Sequence, residues 1–119
     1  MKTSIKRVDK TLTSPAEQDS ILCLTSRRDI IINPKERRLV PLNVVVEPPK
    51  GYVFVVTPAD ILETKGLSVS SKIVNSTDEQ GEELKISVYN LNSERAIVLR
   101  GDIVARGFLI KTEKVGLPR

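Results

Sequence analysis

Arg100-Gly101-Asp102-Ile103-Val104-Ala105-Arg106 is the stretch whose reading decides the fold. Gly and Asp in succession mark a tight reversal, because Gly takes positive φ without steric cost and Asp hydrogen-bonds to nearby backbone. The apolar run that follows, 103–110, has the length and β-branched content of a strand. A turn feeding a short strand is a β unit, and it recurs along the chain.

Working outward, similar runs fall at 21–24, 30–32, 39–46, 52–56, 68–74, 84–89 and 96–99, with a shorter extended run at 4–8. Turn residues separate them: Asn33-Pro34-Lys35-Glu36, Pro48-Pro49-Lys50-Gly51 and Asn90-Leu91-Asn92-Ser93. This spacing predicts an all-β sandwich or barrel with meander or jelly-roll connections. One stretch departs from it. Thr57-Pro58-Ala59-Asp60-Ile61-Leu62-Glu63-Thr64-Lys65-Gly66 carries the signals of a short helix near 58–65, with Thr57 as N-cap, Pro58 at the first position, Asp60 in the first turn and Gly66 as terminator.

Composition narrows the possibilities. A chain of 119 residues suits one domain, and with only Phe54, Phe108, Tyr52 and Tyr89 as aromatics its core must be built from Val, Ile and Leu. The chain has no His and one Cys, so the usual zinc sites, an internal disulfide and any nucleophile activated by imidazole are excluded. No run approaches the roughly 20 apolar residues of a spanning helix, and the basic start 1–7 is followed by no signal-peptide core, which predicts a soluble, intracellular protein. The net charge of +4 is spread along the chain and does not by itself argue for nucleic acid.

With these elements in order, the chain resembles the trimeric dUTPase family from about Lys6 to Lys111. Residues 100–106 resemble its fourth motif. Leu39-Val40-Pro41-Leu42 and Glu47-Pro48-Pro49-Lys50-Gly51-Tyr52 are similar to the strand and Pro-x-Gly-Tyr turn before its second, and Pro58, Ile73-Val74-Asn75, Gly81-Glu82 and Val88-Tyr89-Asn90 follow at matching intervals. The resemblance implies a β-clip or jelly-roll barrel and a homotrimer, with Phe108-Leu109-Ile110 suited to strand exchange between subunits. It divides the chain into an arm or edge strand (1–20), the β domain (21–111) and a short tail (112–119) without the family's Gly-rich lid.

Against the family's motifs, several positions differ. Cys23 stands where an Asp holds magnesium through water, and Ala59-Asp60-Ile61 replaces the Arg-Ser-Gly that receives the phosphates. Asn75 falls at the base position, where a neutral amide cannot take a proton from water, and Asp78 or Glu79 falls at the Tyr beneath the sugar. Arg106 replaces a Gln that faces the nucleotide and is suited to a phosphate. These departures predict a non-catalytic scaffold without a cofactor, binding an unknown protein partner or building an assembly; a viral or phage origin, with residence in the host cytoplasm or the virion, is what the resemblance is compatible with. The alternative is a nucleotide-binding protein or nucleotide pyrophosphatase with a rebuilt pocket, in which Asp78, Glu82, Asp102 and Arg106 meet phosphates and magnesium.

Plainer readings stand beside these. Cys23 alternates within an apolar strand and reads as a buried structural thiol. Asp60 reads as a first-turn acid complementing the helix dipole. The acidic run 78–83 reads as a solvated hairpin tip, and Arg106 equally as a surface residue on an edge-facing strand position. Arg27, Arg28, Lys35, Arg37 and Arg38 form a basic cluster on adjoining turns, a patch for an acidic partner; it lacks interleaved aromatics for stacking bases, which argues against nucleic acid as the partner.

Overall fold

The computed structural model describes residues 4–12, 15–18, 20–75 and 81–112. In chain order its elements are β1 (Ser4–Arg7), β2 (Ala16–Gln18), β3 (Ile21–Thr25), β4 (Ile30–Ile32), β5 (Arg37–Pro41), β6 (Val44–Glu47), β7 (Tyr52–Pro58), α1 (Asp60–Thr64), β8 (Leu67–Val69), β9 (Lys72–Asn75), β10 (Lys85–Asn90), β11 (Ala96–Val98) and β12 (Ile103–Lys111). The sheets run β2-β3-β12-β7-β9, β5-β10-β8, β1-β6 and β4-β11, and every pairing is antiparallel. This is the all-β jelly-roll expected from the spacing, with one short helix.

Aliphatic residues fill the core. Leu24, Ile32, Val40, Val44, Val56, Val88 and Val104 are fully enclosed around the single buried ring, Phe54. Alternation in β10, where Ile86, Val88 and Asn90 point in, is the period-2 signature of a strand with one face covered. Gly107 of β12 lies directly on the Phe54 ring, and a Cβ there would overlap it. Glycine is required at this point by close approach alone.

The turns carry the chemistry their residues suggested. Gly51 (φ 87°) and Gly101 (φ 93°) sit where Tyr52 N–H bonds Pro49 C=O and Asp102 N–H bonds Leu99 C=O, each at 3.0 Å. The Asp102 carboxylate accepts the Leu99 N–H at 2.9 Å, closing the corner from its other side. Asn90, 0% exposed, donates to the carbonyls of Ile32 (2.9 Å) and Glu94 (2.8 Å) and accepts the Asn92 N–H (2.9 Å). One buried amide thereby satisfies three backbone groups that the reversals leave orphaned.

Several expectations are corrected. The helix begins at Asp60 rather than Pro58, because Thr57 and Pro58 continue β7 opposite Arg106 and Ala105; Thr57 is therefore no N-cap. The run 39–46 is broken at Asn43, which takes φ 64° and splits it into β5 and β6, and the run 68–74 breaks at Ser70-Ser71. The N-terminal arm supplies β1 to β6 and β2 to β3, and β2 was not foreseen. Phe108, Leu109 and Ile110 of β12 lie opposite Val55, Phe54 and Val53 of β7. Of the tail at 112–119, everything beyond Thr112 lies outside the described residues.

A polar chain ties the arm to the barrel. Asp9 N–H donates to Asn43 Oδ1 (2.6 Å) and Asn43 Nδ2 returns to Asp9 C=O (3.1 Å). Asn43 N–H donates to Glu83 Oε2 (2.9 Å), and Glu83 receives a bidentate Arg27 at 2.7 and 2.9 Å. Glu83 is half-buried, which corrects its reading as part of a solvated tip. The Asp9 carboxylate accepts from Thr11 Oγ1 (2.6 Å), Thr11 N–H (2.9 Å) and Arg100 Nη2 (3.0 Å). These bonds to Thr11 and the Arg100 guanidinium hold its pKa down, from 3.8 to about 2.

Two outcomes are expected. Gly107→Ala destabilises the fold by about 1–3 kcal/mol in urea unfolding, because the added methyl overpacks against the buried Phe54. Asp9 is depressed on folding, so its stabilisation is complete above the unfolded pKa of 3.8 and disappears as pH falls through about 2. Thermal midpoints of the wild type and Asp9→Asn are accordingly separated above pH 4.5 and converge towards pH 2; a constant gap over that range would contradict the assignment.

Candidate functional site

β12 does not keep a simple alternation. Ile103 pairs with Thr25 and Ala105 with Leu24, so one extra residue bulges at Val104. Val104 and Ala105 are both buried as a result, and Arg106 is turned outward. Without the bulge Arg106 would share the inward side of Val104. The register then sets Cys23 of β3, Arg106 of β12 and Thr57 of β7 in one outward row across three strands.

Beside this row the backbone turns into α1. Ala59 N–H bonds Val104 C=O at 3.1 Å and fixes the helix against β12. Between α1, the Gly101-Asp102 corner and β12 lies a cleft of about 490 Å³, lined by Ala59, Asp60, Leu62, Lys65, Val98, Gly101, Asp102, Ile103, Val104 and Arg106. The volume is in the range of small-molecule sites. Its apolar floor comes from Leu62, Val98 and Val104, while Lys65, Arg106 and Asp60 supply charge. Arg106 Nη2 stands 3.6 Å from Asp60 Oδ2, with side chains 47% and 86% exposed. A long, solvated pair of this kind is weak and exchanges readily for a better ligand.

The structure gathers some of the singled-out residues and separates others. Ala59, Asp60, Asp102 and Arg106 line one cleft, with Cys23 in the row beside Arg106. Ile61 follows Asp60 in α1. Asn75 closes β9, exposed, at the far edge of the five-stranded sheet. Asp78 and Glu79 lie outside the described residues. Glu82 is exposed after Gly81 and lines none of this cleft. Cys23 is half-buried in the outward row rather than enclosed in the core, and Arg106 lies on the central strand of its sheet rather than at an edge; both expectations are corrected. Asp60 retains its first-turn place but is engaged by Arg106.

Most of the basic cluster is engaged by neighbouring groups. Arg27 is bound to Glu83, Arg37 donates to Ser87 Oγ (3.0 Å) with its guanidinium over the Tyr89 ring, and Arg38 reaches Ile31 C=O (3.3 Å) and Glu36 (3.8 Å). Lys35 Nζ donates to Leu91 C=O at 2.8 Å, and Arg28 is exposed. Lys65, which follows α1 directly and lines the cleft, was missed, because a lysine after a helix reads as a dipole complement. Among the described residues no three acids or thiols gather to hold a metal, and no helix is long and apolar enough to cross a membrane.

Comparison with known proteins bears on these positions. The dUTPase family profile matches residues 9–117. The deoxyuridine 5'-triphosphate nucleotidohydrolase of Mycobacterium sp. (strain JLS) is 36% identical over 97% of this chain and 76% of its own length. That of Finegoldia magna is 29% identical over 76% of this chain and 64% of its own. Among solved structures, the dUTPase of Staphylococcus phage 80alpha superposes with a TM-score of 0.86 at 15% identity, covering 99% of this chain and 95% of that one. A point mutant of the dUTPase from S. aureus phage phi11, whose structure shows the coordination of a structural Mg(II) ion, gives 0.85 at 15% identity, covering 100% and 96%. Relatives named as nucleotidohydrolases at this identity and coverage overturn the expectation of a non-catalytic scaffold, and with it the pseudoenzyme and protein-binding readings. The chain belongs to the dUTPase family.

Proposed function

We propose that this protein is a nucleoside triphosphate pyrophosphohydrolase of the dUTP class, acting as a homotrimer through a rebuilt pocket that includes the cleft between α1 and β12. The observation that carries the reading is the Arg106–Asp60 pair, long and open to water on the wall of that cleft. A polyphosphate brings several charges and a bidentate geometry to the guanidinium, and so outcompetes a single exposed carboxylate. Arg106 then binds phosphate oxygens with Lys65 beside it. Asp60, released, becomes a carboxylate next to the reacting phosphate and takes the proton of the attacking water. Water oxygen bonds to the α-phosphorus, the bond to the bridging oxygen breaks, and the electron pair leaves with pyrophosphate.

Magnesium belongs to the chemistry of this family, which revises the expectation of no cofactor. Among the described residues the donor set does not fit an ion caged by the chain, because no three acids converge and the Asp102 carboxylate already accepts the Leu99 N–H. It fits an ion that arrives on the nucleotide's phosphates, where magnesium commonly keeps one or two carboxylates and several waters. Cys23, Ala59, Ile61, Asn75, Asp78 and Glu79 are in this reading the positions at which the pocket has been altered.

Pyrophosphate release from dUTP, dCTP, dTTP and ATP with magnesium tests the proposal. Turnover is expected with dUTP. Arg106→Ala is expected to lower kcat/KM by about 100-fold, in line with a lost charge-assisted contact of roughly 3 kcal/mol. Asp60→Asn is expected to lower kcat more than it changes KM. Release from none of the four nucleotides would end the reading, and full kcat in Asp60→Asn would remove Asp60 as the base.

A further inference from the structure

The Gly101-Asp102 corner forms one rim of the cleft, and the residue before it reaches away from the cleft altogether. Arg100 N–H donates to Asp29 Oδ1 at 2.7 Å, while its Nη2 donates to Asp9 Oδ2 at 3.0 Å and to Thr11 Oγ1 at 2.6 Å. Gly101 N–H donates to Ser26 C=O (2.8 Å), and Ser26 N–H to Asp102 C=O (3.0 Å). The corner is therefore held by backbone bonds to Ser26 and by the Asp29 and Asp102 carboxylates, and the Arg100 guanidinium adds its link to the N-terminal arm.

That link is itself backed. Asp9 is locked to Asn43 by paired hydrogen bonds, and Asn43 through its N–H to the Glu83–Arg27 pair. Asn43 holds φ 64°, a left-handed conformation that asparagine adopts more readily than most residues. Neither Asp9 nor Thr11 lines the cleft. An exposed surface ion pair is ordinarily worth little. Here the guanidinium meets two acceptors already fixed to each other, since Thr11 Oγ1 also donates to Asp9 Oδ1, so little entropy remains to be lost in holding it.

We infer that Arg100 and Asp9 are positioning residues for the nucleotide site: their ion pair fixes the Gly101-Asp102 rim at the spacing a phosphate chain requires. The inference rests on the proposed function for its ligand, but the order of the rim can be read without one. Loss of the latch leaves the barrel standing and lets the rim open, so ground-state binding suffers while the chemical step in the bound complex is kept.

Asp9→Ala, Arg100→Ala and Arg100→Lys are compared with the wild type in two measurements. In hydrogen exchange without nucleotide, the amides of 101–104 are expected to lose at least tenfold of their protection in both alanine variants, those of β7 and β10 remaining unchanged. In steady-state kinetics with dUTP, KM is expected to rise about tenfold in both, with kcat within twofold. Arg100→Lys, which keeps the charge and one contact, is expected to restore part of both effects. Unchanged exchange at 101–104 overturns the inference, as does a fall in kcat at constant KM, which is the mark of a smaller folded fraction. A wild type inactive towards all nucleotides removes the proposed function instead, and the exchange measurement still decides whether the latch holds the rim.

Discussion

β12 must satisfy two neighbours at once. Along one edge it pairs with β7 from Ala105 to Lys111, and along the other with β3, where the count fails by one residue at Val104. A strand bonded on both sides cannot slip to absorb a mismatch, so the extra residue is forced into a bulge. From that constraint follow the burial of both Val104 and Ala105, the outward turn of Arg106, and the anchoring of α1 through the Val104 carbonyl. The cleft exists because β12 is pinned on either side of its own irregularity.

Two kinds of residue surround that cleft. Some are spent on structure, such as Asp102, whose carboxylate closes its own turn. Others are held loosely, and Arg106 with Asp60 are the clearest pair. Counting charges would not distinguish the two groups. Their partners do, and the loosely held ones face a volume suited to a ligand, in a family whose relatives hydrolyse a charged nucleotide.

Much of the fold was legible because β signals are local: alternation in 84–89, Pro48-Pro49 with Gly51, and the Gly101-Asp102 corner each carry their own physics. What was not legible depends on the rest of the molecule. Asn43 breaks a run of apolar residues because the Asp9 and Glu83 hydrogen bonds select its left-handed conformation, and neither partner is near in sequence. Thr57 and Pro58 look like a helix start, yet sheet pairing with β12 overrides local capping preference. At the site, Asp60 and Arg106 were singled out separately, but only the bulge reveals that they meet. Cys23 was placed inside by a pattern of alternation that fits its strand equally well with the other face in.

The position of β12 also governs when the barrel can form. It is made after every other described strand, yet it fills the gap between β3 and β7. On the ribosome those two strands therefore wait for β12 with their facing edges unpaired. Pairings such as β1–β6 and β5–β10 are available sooner, and Asn90 can organise its turns before the central strand arrives. The last described strand to emerge thus works as a closing seam, and until it is seated the nascent chain offers two open edges to whatever is nearby, a hazard for chaperones to shield.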